Sequence, residues 1–223
     1  MPRGTKLGNM ALAAVAAVAI AAIGTGLTGA GFTAQTTNSN NSWTAALDFC
    51  VDGGTQTLDA SSDAYVNQAL PGANFGTLSD LLVEANVLSL TFLTGDKRTL
   101  VKFDLPEIPS NCEPVSATLK LYATGVTTGR TIDVYRAGGS WTEGAVTWDS
   151  RPAVAGSAAS AASASGWINW DVTAQVDAMY SGANNGFIVR DADETALTAK
   201  LQTYQAREGV LDTQDPELVV TFE

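Results

Sequence analysis

Four of the five tryptophans, Trp141, Trp148, Trp167 and Trp170, fall within thirty positions. Indole rings stack on the apolar C–H faces of sugars, while nearby acids and amides bind the hydroxyls. The densest acidic group, Asp191, Asp193 and Glu194, follows closely. Paired carboxylates can cleave a glycosidic bond, but acids in a strand-to-strand turn usually bond to their own backbone or to water. The chain contains no histidine. That removes Ser-His-Asp and Cys-His nucleophilic sites and every His-ligated metal site. No Gly-rich phosphate loop occurs either. The chemistry left is recognition, and the chain reads as a non-enzyme.

Elements with a period of two must position these residues. Ala117, Leu119 and Leu121 alternate with Thr118, Lys120 and Tyr122. Thr99, Val101, Phe103 and Leu105 oppose Leu100, Lys102 and Asp104, and Ile132 and Val134 oppose Asp133 and Tyr135. Ile168, Trp170 and Val172 oppose Trp167 and Asn169. Phe187 and Val189 share a face, as do Leu218, Val220 and Phe222. Such alternation is the mark of half-buried antiparallel strands. Gly, Pro and Asn punctuate them at Pro71-Gly72, Gly95-Asp96, Gly138-Gly139 and Asn185-Gly186. The expected fold is all-β, an antiparallel jelly-roll β-sandwich with one short helix. That helix starts at Asp171 as N-cap, carries Val172, Val176, Met179 and Tyr180 on one stripe, and stops at Gly182. It should run about three turns and close one open end of the sandwich. The Ala/Ser-rich run from Gly156 to Gly166 reads as a flexible loop.

The N-terminus carries Arg3 and Lys6, then the apolar run from Met10, and no charge again until Asp48. This is the layout of a secretory signal peptide, a signal helix over 1–30 with cleavage after Ala30, or after Ala34 as second choice. An uncleaved anchor is the alternative. The expected localisation is secreted or cell-surface, with no stable membrane anchor after processing. Residues 31–60 then form an N-terminal arm and first strand, and 61–223 the sandwich domain. The whole chain has a net charge of −11, and losing Arg3 and Lys6 would leave 10 bases against 23 acids, a net of −13. Such a surface disfavours nucleic acid and anionic membranes as partners. In an exported protein Cys50 and Cys112 are expected to pair.

Six segments, in order, resemble DNRLRE-domain proteins, grouped with carbohydrate-binding module family 96. They are SDAYVNQALPGANFGT (62–77), RTLVKFDLPEIP (98–109), SATLKLY (116–122), SWTEGAVTWDSRP, GWINWDVTAQVDAMYSGANNGFIVRDAD, and TYQAREG…DPELVVTFE (203–223). The resemblance implies a polysaccharide-binding module, acidic uronans among its ligands, with Trp141 and Trp148 in a structural motif. Trp167, opposite the inward Trp170, is then the stacking candidate, with burial as its alternative; Tyr135 and Tyr204 are weaker ones. Arg98, Arg136, Arg190 and Arg207 could serve a polyanion if they converge, and Arg207 could equally be a structural ion-pair residue. Asp63, Asp171, Asp191 and Asp193 offer hard oxygen ligands for a structural calcium, the one cofactor left open.

A second resemblance covers the arm. GFTAQTTNSNNSWTAALDF is similar to the mature start of TasA/camelysin-type proteins, which form biofilm fibres. Trp43, Ala45, Leu47 and Phe49 form one apolar face after a polar leash. The segment is either an ordinary first strand or a donor strand that pairs with the sheet edge of another copy. The leading expectation is thus a polysaccharide-binding adhesion domain, and the alternative a self-assembling fibre subunit.

Overall fold

The computed structural model describes the backbone of Thr37–Asn38 and Asn41–Ser42, then Cys50, 52–86 and 95–223. The signal segment and the donor-strand residues Trp43, Ala45, Leu47 and Phe49 lie outside the described residues. The chain divides into two units, Met1–Ala45 and Ala46–Glu223. In the first, β1 (Thr37–Asn38) pairs antiparallel with β2 (Asn41–Ser42).

The second unit is built from β3 (Gly54–Asn67), β4 (Asp80–Ala85), β5 (Lys97–Phe103), β6 (Pro114–Gly125), β7 (Thr131–Ala137), β8 (Val154–Ala162), β9 (Gly166–Asp171), α1 (Thr173–Tyr180), β10 (Phe187–Asp191), β11 (Lys200–Gln205) and β12 (Glu217–Phe222). Strand β3 serves two partners. Gly54–Asp59 pair with β12, and Ala60–Asn67 pair with β5 across a register shift between Ala60 and Ser62. A bulge of this kind bends a strand and turns it out of one sheet. One layer is therefore β9–β6–β12 with the first half of β3, and the other is β8–β7–β10–β5 with its second half. Strands β11 and β4 span between β6 and β5. The result is a barrel-like sandwich in which every strand pairing is antiparallel. The all-β expectation holds at that level; the strand order establishes no jelly roll.

The alternation read from the sequence fills the interior. Leu119, Leu121, Ile168, Trp170, Leu218, Val220 and Phe222 from one layer meet Val101, Phe103, Ile132, Val134, Phe187 and Val189 from the other. A second, smaller core lies on the opposite face of the β3–β5–β10–β7 layer. There Ala64, Val66, Leu100, Ile188 and Ala137 are covered by Trp141, Val146 and Trp148 from the β7–β8 loop. Those two tryptophans are thus core, and the Trp141 Nε1–H donates to the Asn185 carbonyl at 2.8 Å.

Two local expectations need correction. The Ala/Ser run is not a loop: it is edge strand β8, paired along β7. Its period is present but written in small residues, with Ala159 and Ala161 packing on the core and Ser160 donating to Asp133 at 2.6 Å. The helix is eight residues, nearer two turns than three. Val172 occupies the cap position, while Asp171 Oδ1 accepts from the Thr173 N–H one residue later. Val172, Val176 and Met179 are buried in the core, and Tyr180 reaches Phe222 and donates to the Pro106 carbonyl. At the turn into β10, Gly186 has φ +75, and a Cβ there would sit 2.4 Å from the Val101 carbonyl oxygen. Gly186→Ala should destabilise by about 1–3 kcal/mol, read as a lower urea midpoint. An unshifted midpoint would show that the turn relaxes freely.

Candidate functional site

On the outer face of β6 and β9, Trp167 stands directly across from Tyr122. Their rings meet edge to face, 5.4 Å apart at 85°. Lys120, on the same face of β6, places its ammonium 4.6 Å from the Trp167 ring centroid, and it also pairs with Glu217 of β12. Both aromatic side chains are half-buried, and Asn169, two residues along β9, is exposed. Since side chains on one face recur at every second residue and on adjacent strands, this makes a continuous ledge. It offers an aromatic surface, an amide, and a lysine–glutamate pair whose charges cancel. Trp170, the inward neighbour, is 1 % exposed. Tyr122 and Lys120 were visible in the sequence as the outward face of their strand; what the sequence lacked was the register joining them to Trp167.

The remaining candidates separate. Tyr204, expected at a surface, is fully buried, with its ring 6.3 Å from Trp170. Burial and the Asp191 carboxylate push its hydroxyl well above the usual tyrosine range. Tyr135 is half-buried and lies under the Arg190 guanidinium, 4.8 Å away. Arg98 grips Glu194 through two 2.8 Å bonds, and Arg190 reaches the same carboxylate at 3.3 Å. The Trp148 ring lies near both Arg98 and Arg151, at 5.1 and 3.8 Å. Burial and the Arg98 charge lower the affinity of Arg151 for its proton. Arg136 lies against Gly156 on β8. Arg207 engages a different set of acids, so the four arginines do not share one site.

The four aspartates offered for calcium also part. Asp171 holds Thr173, Asp191 is clasped by Arg130 at 2.9 and 2.6 Å, and Asp193 accepts from the Thr195 N–H at 3.0 Å. Hydrogen bonds from Thr173 and Thr195 hold Asp171 and Asp193 below the ordinary carboxylate value. With Glu194 bound to arginines, the Asp191–Asp193–Glu194 group is fully engaged in ion pairs and turn bonds.

Asp63 instead meets Glu143 and Glu208, their ligating oxygens all within 4.8 Å of one another. Asp63 is 1 % exposed and accepts the Arg207 backbone N–H at 2.7 Å. Arg207 also pairs with Glu143 at 2.9 Å and Glu208 at 2.8 Å. Burial raises the Asp63 pKa to about 7, the Arg207 N–H opposing it and the Glu208 and Glu143 charges adding to it. Three carboxylates so placed could hold a hard cation. Sequence reasoning found Asp63 and Arg207 but not Glu143 or Glu208.

Among the described residues, Trp167, Tyr122 and Lys120 thus form one aromatic surface on the outer face of β6 and β9. The chain belongs to carbohydrate-binding module family 96, whose model matches residues 54–222. Over an alignment of 143 positions the chain is 32 % identical to part of the tRNA3(Ser)-specific nuclease WapA of Bacillus spizizenii, the alignment covering 58 % of this chain and 6 % of that protein. The chain thus spans a small fraction of that relative's length.

Proposed function

We propose that this protein is an exported, non-catalytic carbohydrate-binding module that mediates adhesion to polysaccharide at the cell surface or in the matrix. The observation that carries this reading is the Trp167–Tyr122 ledge on the open face of β6 and β9. Family membership supports the ligand class. The Cys50–Cys112 disulfide suits an oxidising compartment outside the cytoplasm. The absence of histidine and the pairing of the Asp191–Glu194 acids favour binding over catalysis. The ledge is charge-balanced and the protein is strongly acidic, so an uncharged glycan is the favoured ligand. An acidic uronan is the second class, favoured by the meeting of Arg98 and Arg190 at Glu194.

Affinity electrophoresis through gels containing a neutral glucan or a uronan tests this. Trp167→Ala should weaken retention about tenfold, the scale of one lost aromatic contact, and leave Tm nearly unchanged. A lowered Tm with no selective loss of retention would assign Trp167 to packing. Wild-type mobility unaltered by every polysaccharide tested would reject the binding reading.

A further inference from the structure

The outer face of β6 is laid out in cross-strand rows. Tyr122 opposes Trp167 in one row. In the next, Lys120 stands between Asn169 of β9 and Glu217 of β12, and Asp59 of β3 lies across from Glu217. Residues directly opposite in an antiparallel sheet share a face, and neighbouring strands are about 4.8 Å apart. A polar row, Asp59–Glu217–Lys120–Asn169, therefore runs beside the aromatic one. Lys120 joins the two rows, its ammonium 4.6 Å from the centre of the Trp167 ring while it pairs with Glu217. The Lys120 and Glu217 side chains are 27 % and 24 % exposed, so solvent screens the pair only in part. Asp59 is exposed. Two acids and one base give the row a net charge of −1.

We propose that Glu217 is a positioning residue that sets the charge class of the glycan the ledge accepts: by pairing with Lys120, it withholds the row's cation from an acidic sugar. This deepens the carbohydrate-binding reading and rests on the Trp167–Tyr122 ledge being the glycan site. The physical reason is electrostatic. A sugar stacked on Trp167 brings its substituents to Lys120, and a carboxylate that reaches Lys120 also meets Glu217 and, one strand further, Asp59. That repulsion discriminates against a uronate. A hydroxyl meets no such penalty, since Lys120 can donate to it and Glu217 can accept from it. Removing the charge of Glu217 leaves Lys120 free to bind a carboxylate beside the aromatic ring. A cross-strand ion pair that served stability alone would give no preference between glycans.

Affinity electrophoresis of the full chain through β-glucan and polygalacturonate gels tests this, with mobility referred to a non-binding acidic protein. Each variant then has a ratio of polygalacturonate to glucan affinity. Glu217→Gln should raise that ratio about tenfold, the scale of one charge contact at a part-exposed site, and the gain should shrink as salt is added. Lys120→Met should lower the ratio, because it leaves Glu217 and Asp59 unopposed. Glu107→Gln removes the same unit of charge from an exposed loop position outside the ledge and should leave the ratio where it is. An equal rise in Glu107→Gln would assign the effect to net charge and overturn the proposal. So would an unchanged ratio in Glu217→Gln when glucan holds the wild type and Trp167→Ala is released, a result that leaves the ledge as the binding site. Wild-type mobility unaltered in both gels would remove the ledge reading and this one together.

Discussion

Trp170→Ala should destabilise the protein by about 3–5 kcal/mol, the range for a buried aromatic cut back to a methyl. The ring lies between the layers, touches Tyr204 edge to face at 6.3 Å, and donates its Nε1–H to the Ile132 carbonyl at 2.9 Å. Truncation leaves a cavity and strips that carbonyl of its donor. Trp170→Phe separates the two losses, since it keeps most of the volume and should cost less than the alanine variant. Urea denaturation with an unchanged slope gives both numbers. A Trp170→Ala cost as small as that of Trp167→Ala would mean that the two faces of β9 have been assigned the wrong way round.

Reduction of the Cys50–Cys112 disulfide should cost about 4 kcal/mol, from the loop-closure entropy of a bridge spanning a long stretch of chain. The half-cystines are 62 residues apart in sequence and 4.4 Å apart at Cα. Cys112 sits in the main core and Cys50 packs against it, so the bridge also joins two apolar contacts. Unfolded, unreduced protein should titrate almost no thiol, and reduced protein should unfold at a clearly lower urea concentration. Two reactive thiols before reduction, or coincident midpoints after it, would reject the bridge as a stabilising element.

How much of this was legible in the sequence follows from which side of each strand was apolar. Ala117, Leu119 and Leu121, or Leu218, Val220 and Phe222, announce an inward face by alternation alone, and they are buried. Leu100 and Ile188 lie on the opposite face of their strands from Val101 and Phe103, and from Phe187 and Val189, which fill the main core. They are buried too, since the Trp141–Trp148 loop folds back over them. β8 went unread because alanine and serine differ too little in polarity to show a period of two. Tyr204 misled for the opposite reason: its β11 neighbours Gln202 and Gln205 are polar, yet all three are buried. The carboxylate partners of Asp63 come from residues 80 and more positions away in the chain. Spacing cannot reveal such a meeting; only the closure of the β7–β8 loop and the β11 turn onto β3 brings it about.

The first and last strands of the sandwich lie side by side, Gly54 opposite Phe222. Glu113 and Glu223 exchange a pair of backbone hydrogen bonds just beyond, next to Cys112. Traction on the chain before Cys50 therefore passes through a covalent bond into the head of β6 and across to the end of β12. Without that bond the same pull would unzip β3 from β12 one hydrogen bond at a time, beginning at Gly54. With it, β3 is shielded from tension, and the strand that stitches the two layers together is spared when the molecule is tugged.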